Sequence, residues 1–166
     1  MDTSLTETRA DLWSVLQQSP GAWRGKGINH ENERFDAVLV ARRLFGSGGL
    51  LMWFRATGED STVYHEEVAL LGPEGGGGLV MTAANTNIPF VQRFEGPAPG
   101  ATTLAVHHGD HSVDSGFRET IRLSIDKAGT LTVAFDWAMP GEAMAERSAV
   151  RLTYSGDAPP SEVPIF

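Results

Sequence analysis

The sequence predicts an all-β fold: an antiparallel up-and-down β-barrel of about ten strands, preceded by one short N-terminal helix. Three observations predict it. The spacing of apolar residues changes from helical to a period of two after Gly21. Breakers then recur about every ten residues, as in a run of hairpins. The 19 Gly and nine Pro fall in clusters between apolar runs rather than evenly along the 166 residues.

The helix is predicted over 4–18. Leu5, Leu12, Trp13, Val15 and Leu16 share one broad face, with Thr8, Arg9, Asp11 and Gln18 elsewhere. Thr3 or Ser4 can cap its start, and Ser19-Pro20-Gly21 stops it. Strands are predicted over 22–29, 36–45, 50–57, 62–71, 78–84, 89–95, 102–108, 117–126, 130–138 and 147–154. The alternation is cleanest late in the chain. Ile121, Leu123 and Ile125 oppose Thr120, Arg122 and Ser124. Leu131, Val133, Phe135 and Trp137 oppose Thr132, Ala134 and Asp136, and Asp126-Lys127-Ala128-Gly129 joins the two runs as a hairpin. A sandwich competes, but it needs longer crossovers than these gaps supply. Closure removes the unpaired edges. The whole chain is one domain, 1–166, with the barrel over 21–155 and a tail over 156–166.

Charge and composition exclude several functions. Thirteen Lys and Arg against 21 Asp and Glu give a net charge of −8, which argues against nucleic acid and anionic membranes as partners. The absence of cysteine excludes disulfides, thiolate metal sites and a cysteine nucleophile. No apolar stretch approaches the ~20 residues of a membrane helix. The acidic start Met1-Asp2-Thr3-Ser4-Leu5-Thr6-Glu7 lacks the basic region of a signal peptide. A cytoplasmic location is expected, and association as a homodimer stays open.

A barrel of this size encloses room for a small ligand, so inward residues are the candidates. His65 and Glu67 lie two apart on one strand and share a face with Val63, Ala69 and Leu71. Facing inward, they would orient a ligand, act as acid and base, or form a purely structural pair. His107-His108-Gly109-Asp110-His111 with Asp114 invites a metal reading, but it straddles a strand end and a loop with no second cluster, so no metal is expected. Glycines 75–78 lack the Lys-Ser/Thr of a phosphate loop, and no serine sits in a nucleophile elbow. Trp53, Phe54, Phe90, Phe94, Phe135 and Trp137 read mostly as core, and Arg42, Arg55, Arg93 and Arg118 as outward.

Gly21-Ala22-Trp23-Arg24-Gly25-Lys26-Gly27 opens the first strand, with Trp23 suited to plug one barrel end. With this G-x-W-x-G-x-G, the run Val63-Tyr64-His65-Glu66-Glu67-Val68 and the late hairpin from Phe117-Arg118-Glu119, the chain from about Gly21 to Tyr154 resembles the nitrobindin group. These are lipocalin-like (calycin-type) haem-binding barrels related to fatty-acid-binding proteins. The resemblance implies a ten-stranded barrel with an internal cavity. It does not carry the haem across, because Arg147 stands where that family has its iron-ligating His, and no His follows His111. No cofactor is therefore expected.

The expected function is binding of a small apolar or amphipathic molecule inside the barrel. Trp23, Met52, Phe54, His65, Glu67, Phe135, Trp137 and Arg147 are the candidate ligand-facing residues, and no catalytic residue is assigned. The alternatives are an isomerase or hydrolase built on His65 and Glu67, haem binding through another ligand, or a filled barrel serving as a structural module.

Overall fold

The computed structural model describes residues 11–44, 46 and 48–163. Helix α1 spans Leu12–Gln18. Asp11 caps it from an extended backbone conformation, accepting the Ser14 N–H at 2.8 Å, and Ser19 Oγ closes the other end by donating to the Val15 carbonyl at 2.7 Å. The predicted start of this helix, with Leu5, Thr8, Arg9 and the Thr3 or Ser4 cap, lies outside the described residues.

Ten strands follow: β1 Ala22–Asn29, β2 Arg34–Arg43, β3 Leu50–Gly58, β4 Val63–Pro73, β5 Leu79–Asn85, β6 Gln92–Gly96, β7 Thr103–His108, β8 Arg118–Ile125, β9 Leu131–Ala138 and β10 Ala145–Tyr154. Each pairs antiparallel with its neighbour in sequence, and β1 closes the barrel on β10 with Trp23 opposite Tyr154. The seams are unequal. Nine residues of β2 register against β3, whereas β6 and β7 register through the single pair Glu95 and His107.

Closure of β1 on β10 depends on glycine. A Cβ at Gly25 would overlap the Arg151 carbonyl oxygen, and one at Gly27 would overlap the Phe35 ring. The two glycines therefore let β10 approach closely and give Phe35 its place inside the barrel.

The barrel has a filled end and an open end. At the filled end α1 lies across the mouth, its Leu12 N–H bonded to the Ala101 carbonyl and its Gln17 Nε2 to the Gly48 carbonyl. Leu12 and Leu16 are completely buried against inward side chains such as Trp23, Leu39, Leu50 and Leu152. Each such leucine contributes roughly 1.5–3 kcal/mol by leaving water. The outer wall carries a small second cluster of Ala22, Val40 and Trp53, and the Trp53 Nε1–H donates to Glu66 at 2.8 Å.

Three features differ from expectation. The register of β4 against β3 shifts between Ala56 and Thr57, which removes Val63 from the His65 face and brings Tyr64 to the interior instead. Phe90 is exposed in the β5–β6 connection rather than in the core. Arg118 is buried: it lies under the β9–β10 connection, donating to the carbonyls of Met139 and Glu142.

Candidate functional site

A cavity of about 390 Å³ occupies the open end. Inward positions near the ends of β3, β4, β8, β9 and β10 build it, because alternation sends every second side chain of each strand inside. Its walls are Phe54, Tyr64, Phe135 and Trp137, with Phe35 and Val150 between them. Phe54 and Phe135 pack at 5.3 Å between ring centroids, and the His65 ring lies 5.2 Å from Phe135.

The floor is polar. Glu67 on β4 stands opposite Asn85 on β5, and Glu119 on β8 stands opposite His108 and Trp137. Asn85 Oδ1 accepts the backbone N–H groups of Asn87 and Ile88 at 3.0 and 2.9 Å, which turns its amide nitrogen inward. That nitrogen donates to Gln92 Oε1 at 2.9 Å and reaches Glu67 Oε2 at 3.5 Å. Gln92, itself fully buried, then donates from Nε2 to Glu119 Oε2 at 3.0 Å. The amides thus form a relay between two buried carboxyl groups, each engaged through one oxygen.

Burial decides the charge of these groups. Burial first, and the neighbouring Glu119 second, push the Glu67 carboxyl up to about 8, against the opposing Asn85 N–H. Glu119 is raised by burial as well, opposed by its Gln92 hydrogen bond and by His108. Burial alone takes His65 down to about 4, so its imidazole is neutral at pH 7. His65 Nε2 lies 3.8 Å from Glu67 Oε2, which is too long for a hydrogen bond, and it has no other partner although it is shielded from solvent. The remaining ring nitrogen, Nδ1, meets the Asn87 side chain at 3.2 Å.

Arg147 marks the rim. It falls where the β10 register against β9 shifts, between Glu146 and Ser148, and this irregularity turns its side chain to the cavity mouth. Its guanidinium lies 4.5 Å from the Trp137 ring centroid, donates to the Trp137 carbonyl and pairs with Glu142 at 2.8 Å. Glu146 pairs with Arg122 instead.

The structure brings together Phe54, His65, Phe135, Trp137 and Arg147 around the cavity, with Glu67 buried just behind its floor. Trp23 and Met52 lie in the packed interior away from that cavity. Asn85, Gln92 and Glu119 had no place among the sequence candidates. Of these, Glu119 was the most readable, since alternation puts it on the face of Ile121 and Leu123. His107, His108 and His111 bond separately to Thr120 Oγ1, the Arg93 carbonyl and the His108 carbonyl, and no metal-binding group is found among the described residues.

One way to hold a haem iron is through an imidazole nitrogen aimed into the open cavity. Arg147 stands at the rim position, His65 turns its two nitrogens to Glu67 and Asn87, and exposed His30 packs edge-on against Trp137 at 5.3 Å. Neither Arg147 nor His65 supplies such an axial imidazole. Among the described residues no helix is long and apolar enough to cross a membrane.

No family model matches the chain, and no curated protein matches its sequence. Among solved structures the chain is similar to the crystal structure of Rv2717c from M. tuberculosis, with a TM-score of 0.60 over 85% of this chain and 95% of that one. At 14% identity the likeness is one of fold. The protein is a closed ten-stranded antiparallel barrel with Rv2717c as a structural neighbour.

Proposed function

We propose that the protein binds a small amphipathic molecule in the cavity at the open end of its barrel. One observation carries this reading: an aromatic-walled cavity of about 390 Å³ ends on hydrogen-bonding groups that the fold keeps out of water. Apolar walls with a few convergent polar groups are the usual composition of a small-molecule site. The likeness to a barrel of the same architecture is consistent with it. An acid–base role for His65 and Glu67 has less support, because His65 Nε2 faces Glu67 rather than the space a substrate would fill.

An environment-sensitive fluorescent amphiphile, titrated into the purified protein, tests the reading. Saturable binding at one site is expected, with displacement by unlabelled amphiphiles. Ala56 is buried and lines the cavity, so Ala56→Trp should fill the space and abolish the signal without loss of the cooperative unfolding transition. Binding that survives in a folded Ala56→Trp protein, or no saturable binding in the wild type, rejects the cavity as the site.

A further inference from the structure

We propose that the groove between the outer wall of β2 and β3 and the tail that follows β10 is a second binding site, which takes a small anionic amphiphile. Its ligand is an apolar, preferably aromatic, body that carries one acid group. The site lies on the outside of the barrel and is independent of the cavity at the open end.

The same alternation that sends Leu39, Ala41, Met52 and Phe54 into the barrel turns Val40, Arg42, Leu51 and Trp53 to the outer face. Val40 stands opposite Trp53 and Arg42 opposite Leu51, so apolar and basic side chains occupy adjoining rows of the wall. Val40 and Trp53 are buried although they point away from the barrel interior, and the Trp53 indole is fixed by its bond to Glu66. The chain after β10 supplies the other side. Ser155 donates from its backbone N–H and its hydroxyl to the Ala22 carbonyl, and the Ala22 N–H donates to the Asp157 carbonyl, which holds the start of the tail against β1. Pro159, Pro160 and Val163 then border, with Val40, Leu51 and Trp53, a groove of about 630 Å³.

Charge selects the ligand. The charged side chains that line the groove are Arg42 and Arg43, and among the described residues no carboxylate lines it. Lys26, Arg93, Arg122, Arg147 and Arg151 are each matched with a carboxylate. Arg42 and Arg43 are exposed and enter no ion pair among the described residues, and Arg42 makes only a long contact of 3.4 Å to the Pro20 carbonyl. In a chain of net charge −8, two unmatched guanidinium groups beside an apolar groove are complementary to an anion on an apolar body. A cationic ligand would meet them with repulsion, and a neutral one would leave them in water.

The backbone argues against a peptide as the occupant. Val40 is flanked in the ladders by Ala22 and Trp53, Leu51 by Arg42 and Leu70, and Trp53 by Val40 and Val68. The floor therefore has no free N–H or carbonyl to pair with an added chain. A peptide laid there would bury its own backbone groups against Val40, Leu51 and Trp53 without partners. A small amphiphile carries no such groups, and a groove of about 630 Å³ has the size of a small-molecule site.

Two dyes test the site: 1-anilinonaphthalene-8-sulfonate, and N-phenyl-1-naphthylamine, which keeps the rings and lacks the sulfonate. In the Ala56→Trp protein, with its cavity filled, the sulfonate dye is expected to bind at least about tenfold tighter than the neutral dye, and more weakly as salt rises. Arg42→Gln combined with Arg43→Gln should remove that difference and leave the unfolding transition in place, since both residues are exposed. Equal affinity of the two dyes overturns the proposal, as does a sulfonate advantage that persists in the double variant. The indole N–H signals of the wild-type protein give the location without any variant. The sulfonate dye should move the Trp53 signal saturably, and a titration that leaves Trp53 unmoved overturns the proposal. The cavity is read with the neutral dye, which should move the Trp137 signal in the wild type and lose its binding in Ala56→Trp. If the neutral dye fails to bind while the sulfonate dye moves Trp53, the cavity reading falls and the groove stands. The reverse pattern removes the groove alone.

Discussion

At Gly25 a single methyl group would meet the Arg151 carbonyl oxygen across the β1–β10 closure, with backbone on both sides of the contact. Nothing flexible is there to yield, so Gly25→Ala is expected to destabilise the fold by roughly 2–3 kcal/mol, as overpacking of a filled site does. Gly75→Ala is the control, since a Cβ there meets nothing within 4 Å. Urea unfolding of the two variants should show a lowered midpoint in the first and little change in the second. The sequence placed Gly25 and Gly27 in the motif that opens the first strand, but the reason for glycine there is a contact with residues distant in sequence. The same limit applies to Trp23 and Met52. Alternation says that a side chain points inward; it does not say whether it ends in the packed half of the barrel or in the cavity.

At the scale of one strand, β4 carries His65 and Glu67 on the same inner face with opposite responses to burial. Glu67 titrates near 8 in the fold against an ordinary value of 4.5, so the folded state holds its proton after the unfolded chain has lost it. Its contribution to stability is complete below pH 4.5 and falls as pH rises toward 8. His65, lowered to about 4 from 6.5, contributes fully above 6.5 and loses that contribution as pH falls. The two slopes cancel between about pH 4.5 and 6.5, leaving a decline from 6.5 to 8 worth about 2 kcal/mol, and Glu119 adds in the same direction. Stability measured by denaturant across pH 6.5–8 should fall in the wild type and fall less steeply in Glu67→Gln. An unchanged slope in the variant would remove Glu67 as its source. The pairing of these residues on one face was legible from their spacing. The irregularities at Tyr64 and Arg147 were not, because a one-residue insertion in a ladder leaves no mark in the pattern of residue types. Both irregular positions supply cavity residues.

For the molecule as a whole, ten strands in sequential order were readable because turns and alternation are local properties, and closure follows from the need to remove edges. The relay of Glu67, Asn85, Gln92 and Glu119 was not readable, because its members come from strands β4, β5, β6 and β8 and meet only once the sheet has curved shut. One consequence of that route concerns mechanics. A hoop under thermal strain parts at its weakest weld, which here is the β6–β7 seam with its single registered pair. The bond from Gln92 on β6 to Glu119 on β8 passes inside that weld like a tie rod. Amide hydrogen exchange should accordingly be faster along β6 and β7 than along β2 and β3, and Gln92→Leu should widen the difference. Equal protection in wild type and variant would show that the tie carries no strain. A tie that carries strain makes the Gln92–Glu119 distance a limit on how far the wall can swell, and lengthening it slackens the hoop beside it.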